Sequence, residues 1–377
     1  MNQPHSDSAT SPVKKRSKKL NLIQVYRGLA AVLVLLHHGD IIFKRELNKD
    51  FLFNMFAFGF AGVDFFFLLS GFIIFYLHQS DIGQPSKFKP FILKRFIRIY
   101  PLYWIILSIK IAASLLVGYG GDVGNSTFWD ILKAIALYPQ ADRELLASRF
   151  LGVSWTLSYE IFFYLVFGLL LLVKPTKLLW PLIIVWIGGS LLNLTGAIDS
   201  IFASNFMLEF IFNERNLEFV LGGLAAYIVS TYQVKHEMIL ISIAAFILTL
   251  SAIDSNYNII QIPFVIAYGL PFTLLIIGSV VIENKRSLNV HPYLIQVGDA
   301  SYAIYLLHGF IISNIAKVMV KLNLSAIIEN VLCLNLLAII IAIVTIIIGC
   351  AIYTYLEKPL LTKLRAKLLP GMTKKAT

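Results

Sequence analysis

Apolar runs of about 20 residues, the length of a membrane-spanning helix, recur along the whole chain. Hydrophobic residues make up 58% of the 377 positions, charged residues make up 14%, and the mean hydropathy is +0.77. A soluble domain of this length could not bury so much apolar surface. The sequence therefore predicts an all-α, polytopic integral membrane protein with about ten transmembrane helices and no soluble domain. The predicted spans are 20–41, 56–78, 100–118, 154–174, 177–196, 212–231, 237–253, 260–282, 299–322 and 330–356.

Lysine and arginine residues cluster at alternate connections between the predicted spans. They precede the first span, lie between the second and third at 87–98, and follow the last span at 363–375. Because positive residues concentrate on the cytoplasmic side of a membrane protein, both termini are expected in the cytoplasm. Lys44, Arg45 and Lys49 fall on the opposite side and weaken this pattern. The net charge of +11 does not indicate a nucleic-acid partner, since no basic patch alternates with exposed aromatic residues.

The two ends of the chain are polar and basic. Residues 1–19 are expected to form a disordered cytoplasmic tail, residues 20–362 the transmembrane domain, and residues 363–377 a second basic cytoplasmic tail. Cys333 and Cys350 lie in the last apolar region and are interpreted as small hydrophobic residues, not as a disulfide or as metal ligands. The sequence contains no metal-ligand motif, so no metal is expected.

Arg27 and His38 lie eleven residues apart in the first predicted span. At about 100° per residue, both side chains share one helix face and lie roughly 16 Å apart along the axis. His37 is rotated by about 80° from Arg27, which favours His38 as the partner of the arginine. Ionisable groups inside a span are costly and are usually kept for a function. The alternative is that Arg27 snorkels to the interface and His38 marks the far end of the span.

Other ionisable side chains also fall within predicted spans. Asp64 begins the second span, where the helix dipole would also favour a carboxylate. Glu160 lies about one and a half turns inside the fourth span, and either a function or an arginine partner would explain it. Glu218 and His308 are intramembrane ionisable groups to which the sequence assigns no role. Glu357, at the cytoplasmic end of the last span, is expected to pair with a basic loop residue.

The segment KPFILKRFIRIYPLYW at 89–104 is amphipathic and basic. Such a segment can lie in the membrane interface, with Pro101 at the opening of the third span. Its charges would then lie at the cytoplasmic face. On the other side of the membrane, a short helix is predicted at 127–138. The pair Ser70–Gly71 in the second span predicts close helix packing.

Seven motifs, in their order and spacing, resemble the membrane-bound acyltransferase 3 family over about residues 20–362. They are YRGLAAVLVLLHH at 26–38, GVDFFFLLSGF at 62–72, KRFIRIYPLYW at 94–104, SWTLSYEIFFYL at 154–165, LEFVLGG at 217–223, ASYAIYLLHG at 300–309 and YLEKPL at 355–360. The family's pattern of two arginines separated by three residues reads Lys94 and Arg98 here, with Arg95 between them. Lysine lacks the planar fork with which arginine binds phosphate.

The resemblance implies an enzyme of ten helices in the plasma (bacterial inner) membrane. Such an enzyme transfers an acyl group, usually acetyl, from cytoplasmic acyl-CoA to a hydroxyl group. Family acceptors are often sugars of O-antigen or exopolysaccharide, so acetyl-CoA, a glycan or lipid-linked saccharide, and membrane lipids are the expected partners. Some members carry a further esterase-like domain after the membrane part, which is not expected here.

The resemblance also marks the arginine and histidine of the first span as the family's functional pair. The expected catalytic residues are His38, Arg27, Asp64 and Glu160, and the expected donor-binding residues are Arg27, Lys94, Arg95 and Arg98. His38 would act as general base on the acceptor hydroxyl, with Asp64 or Glu160 orienting or charging its ring, or as the nucleophile that forms an acyl-histidine. The alternative from another functional class is a transporter or flippase of a lipid-linked or small-molecule substrate, which would use the same buried charges.

Overall fold

The computed structural model describes residues 20–117, 126–139, 150–174, 176–197, 201, 205–260 and 262–370. The predicted disordered tail at 1–19 lies outside the described residues, as does the end of the second predicted tail at 371–377. Every regular element in the described residues is helical, which confirms the all-α prediction. The α-helices, in chain order, are α1 Asn21–Leu47, α2 Ala61–His78, α3 Phe88–Val117, α4 Phe128–Ala136, α5 Ser154–Leu172, α6 Trp180–Leu194, α7 Phe206–Ile211, α8 Arg215–Thr231, α9 Glu237–Tyr257, α10 Leu270–Lys285, α11 Pro292–Asp299, α12 Ser301–Lys321, α13 Ser325–Glu329, α14 Val331–Ile352 and α15 Lys358–Leu368.

Eight helical segments of the described chain are long and apolar enough to cross a membrane, which confirms a multi-pass protein. They contain α1, α2, α3, α5, α9, α10, α12 and α14, and the last one continues through a π-helical turn at Tyr353–Glu357 into α15. The two other predicted spans, 177–196 and 212–231, contain α6 and α8, which have 15 and 17 residues. At a rise of about 1.5 Å per residue, both are shorter than a hydrocarbon core. Flanking turns must therefore complete any crossing at these two positions.

The third span begins earlier than the sequence predicts. α3 runs from Phe88 to Val117 as one helix, so the basic segment expected in the interface forms its first part. Pro101 lies inside this helix instead of opening it. Proline removes one backbone donor, which a membrane helix tolerates where neighbouring groups pack around it. The helix therefore starts before the span predicted to open at residue 100, and the apolar side of its basic segment packs inward, where Ile97 is buried in a cluster with Leu361 of α15.

Helices α2 and α8 pack with their backbones in contact because both carry glycine at the crossing. A Cβ atom on Gly71 would lie 2.0 Å from the carbonyl oxygen of Phe219, and one on Gly222 would lie 1.8 Å from that of Leu68. No larger side chain fits at either position. The interpretation of Ser70–Gly71 as a close helix contact is confirmed for the glycine.

Helix α1 is central in the bundle and contacts α2, α11 and α12. A Cβ atom on Gly298 of α11 would lie 2.0 Å from the carbonyl oxygen of Gln24, so these two helices also approach closely. Ala31 and Leu35 are fully buried in a cluster that includes Ile304 of α12. This packing fixes the directions in which the polar side chains of α1 point.

Helix α4 confirms the short helix predicted at 127–138. A reciprocal pair of hydrogen bonds between Thr127 and Asp130 forms a capping box at its start. Its last carbonyl groups accept hydrogen bonds from the side chains of Tyr100, Tyr103 and Trp104 on α3. These bonds satisfy acceptors that a helix C-terminus leaves open, so three aromatic residues of α3 hold α4 in place.

Candidate active site

A cavity of about 750 Å³ lies between α1, α2, α3, α5, α12 and α15. Its size is typical of a small-molecule site. We call it the basic cavity, because its lining includes five cationic side chains and one carboxylate: Arg27, Lys94, Arg95, Arg98, Arg365 and Glu160. This excess of positive charge favours an anionic ligand.

Arg98 is anchored from two sides. Its Nη1 donates to Oε1 of Glu357, the last residue of the π-helical turn, and its guanidinium carbon lies 5.2 Å from the ring centre of Tyr302. Glu357 is 1% exposed, so the ion pair is nearly buried. The hydroxyl of Tyr302 donates to the carbonyl oxygen of Ile99, which connects α12 to α3. The predicted pairing of Glu357 with a basic residue is confirmed, although the partner lies in a helix and not in a loop.

Three other cations leave donor groups available in the basic cavity. The guanidinium of Arg95 lies over the rings of Phe91 and Tyr164, at 5.3 and 5.5 Å, and its Nε has no hydrogen-bond partner among the described residues. Lys94 and Arg365 line the same cavity and form no ion pair within the described part of the chain. Unpaired N–H groups on cations are the donors that phosphate oxygens bind most strongly.

Hydroxyl groups line one wall of the basic cavity beside the carboxylate. Glu160 accepts a hydrogen bond from Tyr164, one turn along α5, so its hydrogen-bond partner is a tyrosine and not an arginine. The hydroxyl of Thr156 donates to the carbonyl oxygen of Val153. At the 2.8 Å contact between Thr156 and Tyr305, the tyrosine hydroxyl is therefore the donor. This bond links α5 to α12 at the cavity wall.

His38 lies on α1, eleven residues beyond Arg27, at a separation of about 16 Å along the helix axis. Arg27 lines the basic cavity and donates to the side chain of Gln24, whereas His38 lies beyond the cavity lining. Nδ1 of His38 is 2.9 Å from the carbonyl oxygen of Val34. Because a carbonyl can only accept, Nδ1 carries the hydrogen, and the neutral ring presents a lone pair at Nε2. His38 therefore has the tautomer of a general base or nucleophile.

Comparison with known proteins identifies the family of this chain. Residues 21–355 match the acyltransferase 3 family, which is described as an acyltransferase domain. The chain belongs to the acyltransferase 3 family. It is therefore an integral membrane acyltransferase, and the resemblance drawn from the seven motifs is confirmed.

Two relatives of this acyltransferase extend the comparison. The exopolysaccharide production protein ExoZ of Rhizobium meliloti (strain 1021) is 29% identical over 322 residues, which cover 83% of this chain and 92% of ExoZ. A Staphylococcus aureus (strain COL) protein named provisionally as an O-acetyltransferase is 27% identical over 334 residues. That match covers 78% of this chain and 52% of the relative, so the chain spans about half the length of the staphylococcal protein. No solved structure gives a significant match.

Asp64 lies in a separate polar cluster of the acyltransferase. It is 1% exposed in the first turn of α2, and its carboxyl group interacts with that of Glu218 on α8, which is also 1% exposed. Arg215 supplies a positive charge to this pair, and its guanidinium lies 5.2 Å from the ring centre of Trp155. The cluster bridges the helices that meet at the glycine contact between α2 and α8.

Neither predicted carboxylate reaches His38. No acidic side chain of the described residues forms a hydrogen bond or ion pair with this histidine, and its ring is oriented by the carbonyl oxygen of Val34. The roles of Asp64 and Glu160 towards this ring therefore remain predictions. The contact that the structure shows is with a backbone carbonyl four residues earlier on the same helix, which a side-chain pattern could not indicate.

Two further histidines contact His38. The ring of His37 is centred 5.5 Å away and also meets Phe60, while the ring of His308 on α12 is centred 4.9 Å away. The sequence identifies His308 as an intramembrane ionisable group but not as a neighbour of His38. The signal that could connect them is the tertiary packing of α12 on α1, which a single sequence does not reveal. Arg365 is missed for a similar reason, because only the folded chain brings α15 to the basic cavity.

Proposed function

We propose that this acyltransferase moves an acetyl group from cytoplasmic acetyl-CoA to a hydroxyl group of a surface or exported glycan. The observation that carries the proposal is the basic cavity, where five cationic side chains lie beside a carboxylate and several hydroxyl groups within a membrane bundle. CoA is a phosphate-rich anion with a long thioester arm, and its phosphates match the charge of this cavity.

The donor binds with its phosphates among the cations of the basic cavity. Arg95, Arg365 and Lys94 offer donors that no described acid occupies, and Arg98 adds the face that is turned away from Glu357. Arg27 lies in the same lining and starts the stretch of α1 that leads to His38. The thioester arm then extends along α1 over about 16 Å towards the histidine.

His38 acts as the general base of the transfer. Its Nε2 takes the proton of the acceptor hydroxyl, whose oxygen attacks the thioester carbon. The carbon–sulfur bond breaks, the sulfur keeps the electron pair, and a proton then converts the thiolate to the free thiol of CoA. Attack by Nε2 itself would give an acyl-histidine and would use the same lone pair. Glu160 contributes a negative charge at the wall of the basic cavity, while Asp64 lies outside the lining of this cavity.

The glycan acceptor is inferred from the names of the relatives. The membrane orientation of the enzyme is inferred from the distribution of its lysine and arginine residues. ExoZ, which the chain matches over 92% of its length, is named for exopolysaccharide production. The basic cavity contains arginines of a cation-rich connection, and such connections face the cytoplasm. Both chain ends and the donor site are then cytoplasmic, and the enzyme lies in the plasma membrane with its glycan acceptor on the opposite side.

Transfer of radiolabelled acetyl tests this function. Membranes containing the protein are incubated with labelled acetyl-CoA and with glycan extracted from cells that lack the protein. The proposal predicts label in an alkali-labile ester on the glycan, and none with membranes that carry the His38→Ala variant. Label that stays on CoA while glycan or lipid crosses the membrane would instead support a transporter or flippase and would overturn the proposal.

A further inference from the structure

His308 is a buried ionisable side chain that the proposed mechanism does not yet use. It is 0% exposed, and neither Nδ1 nor Nε2 has a hydrogen-bond partner among the described residues. The polar groups beside its ring on the same helix are the backbone carbonyls of Ile304 and Tyr305, and no described side chain pairs with it. An ionisable ring inside a membrane span is costly and usually marks a function.

Two ring contacts place His308 between the general base and the basic cavity. Its ring centre lies 4.9 Å from that of His38 and 5.8 Å from that of Tyr305. Tyr305 lines the basic cavity and donates its hydroxyl hydrogen to Thr156, so a lone pair of the phenol oxygen remains. The ionisable groups facing His308 are His38 and His37 from α1 and Tyr305 from its own helix.

The tautomer of His38 determines which of its ring nitrogens can transfer a proton to His308. Because Nδ1 of His38 donates to Val34, Nε2 is the atom that receives the hydroxyl proton and the only one that can pass it on. His308 has two ring nitrogens, so it can accept a proton at one nitrogen and release a proton from the other. A glutamine at this position could hydrogen-bond but could not carry out this exchange.

We propose that His308 is the proton partner of His38, taking the acceptor's hydroxyl proton from Nε2 of His38 and returning a proton to the sulfur of the thioester arm that enters from the basic cavity. The inference rests on the proposed acyl transfer, and the proton carried by His308 completes the proton balance of that reaction. The acceptor oxygen loses its hydrogen and gains the bond to the acyl carbon. The sulfur leaves with the electron pair of the carbon–sulfur bond and takes up the proton that the two histidines have carried. No other reactant is required.

His308→Gln in the full-length protein, reconstituted in liposomes, tests the proton role. We expect the turnover number to fall by about 100-fold, the range of general acid–base effects, while the dissociation constant of acetyl-CoA stays within about twofold. His37→Gln is the matched control, since it removes the other imidazole near His38, and it should change turnover by less than about fivefold. Wild-type turnover in His308→Gln would overturn the inference, because glutamine fills a similar volume and preserves packing.

A second measurement keeps the inference testable if His308→Gln fails to fold. Nuclear magnetic resonance of wild-type protein labelled with ¹⁵N in histidine should give a through-space contact between the ring nitrogens of His38 and His308. Absence of that contact overturns the inference. A wild-type protein that shows the contact but transfers no acetyl would refute the proposed function and the proton role that depends on it. An active wild-type protein together with active His308→Gln refutes only the role of His308.

Discussion

The guanidinium of Arg98 and the carboxylate of Glu357 form an ion pair that ties α3 to the π-helical turn before α15. The glutamate is 1% exposed, whereas the arginine side chain is 24% exposed towards the basic cavity. Arg98 can therefore stabilise the fold and bind the donor at the same time. A substitution of Arg98 alone would change both stability and donor binding. Combining it with a substitution of Glu357 separates the two effects.

Arg98→Ala should lower the free energy of unfolding by about 3 kcal/mol, because it leaves a buried carboxylate without its partner. The double variant Arg98→Ala with Glu357→Gln should recover part of this loss, since it removes the uncompensated charge. Both variants should bind acetyl-CoA more than about tenfold more weakly, which corresponds to roughly 1.4 kcal/mol from one charged contact. Thermal unfolding and acetyl-CoA titration in detergent measure the two quantities.

Glu357→Gln alone is the control for the Arg98 pair. It keeps the arginine and should bind acetyl-CoA nearly as well as the parent protein. If the double variant binds acetyl-CoA at the parental level, Arg98 only ties helices together, and the donor phosphates must lie elsewhere.

Arg365→Gln should weaken acetyl-CoA binding by about fivefold with little loss of stability, because this cation lines the basic cavity without forming an ion pair with any described residue, and the nearby Glu357 keeps Arg98 as its partner. Lys363→Gln and Lys367→Gln are matched controls, since they remove the same charge from exposed positions of α15 outside the cavity. Isothermal titration at low salt measures all three. Equal weakening in the three variants would mean that α15 acts only through its general charge.

His38→Ala should abolish acyl transfer while membrane abundance and acetyl-CoA binding persist, because it removes the proposed base but no residue of the cavity lining. His37→Ala should retain most of the activity, since His37 is rotated by about 80° from Arg27 on the helix. Single-turnover assays on reconstituted protein compare them. Comparable losses in the two variants would contradict the specific role of His38.

Gly222→Ala should destabilise the protein by at least about 2 kcal/mol, because its Cβ would lie 1.8 Å from the carbonyl oxygen of Leu68 and would force α2 and α8 apart. Gly223→Ala is the adjacent control, with its nearest neighbour at 3.8 Å. Alanine favours a helix over glycine by about 0.5–1 kcal/mol, so this control should be neutral or slightly stabilising. Thermal unfolding in detergent compares the pair, and similar midpoints would refute backbone contact at this crossing.

Local sequence patterns predict most of the fold, because the length of an apolar segment identifies a membrane helix without any knowledge of tertiary contacts. The chain from 154 to 174 is an example, since its predicted span and α5 nearly coincide. The sequence does not predict that α3 starts at Phe88, before the predicted span, or that Ile97 in its basic segment packs against α15. Helix α6 is also shorter than its predicted span of 177–196, because apolar composition alone does not determine where a helix begins or ends.

The candidate site is less predictable because its residues come from helices far apart in the sequence. Helical periodicity relates Arg27 to His38, since both lie on α1. It cannot place Arg365 in the basic cavity or His308 beside His38, and it cannot reveal that Asp64 faces Glu218. Those relationships depend on how α15, α12 and α8 pack, and that information is tertiary.

The proposed reaction places acetyl groups on a glycan through His38. Mass spectrometry of the surface polysaccharide tests it directly in three strains, which carry the parent protein, no protein or the His38→Ala variant at equal membrane abundance. We predict acetylated sugars in the first strain and their absence from the other two. Identical acetylation in all three strains, or acetylation retained with His38→Ala, would contradict this role of the protein and of His38.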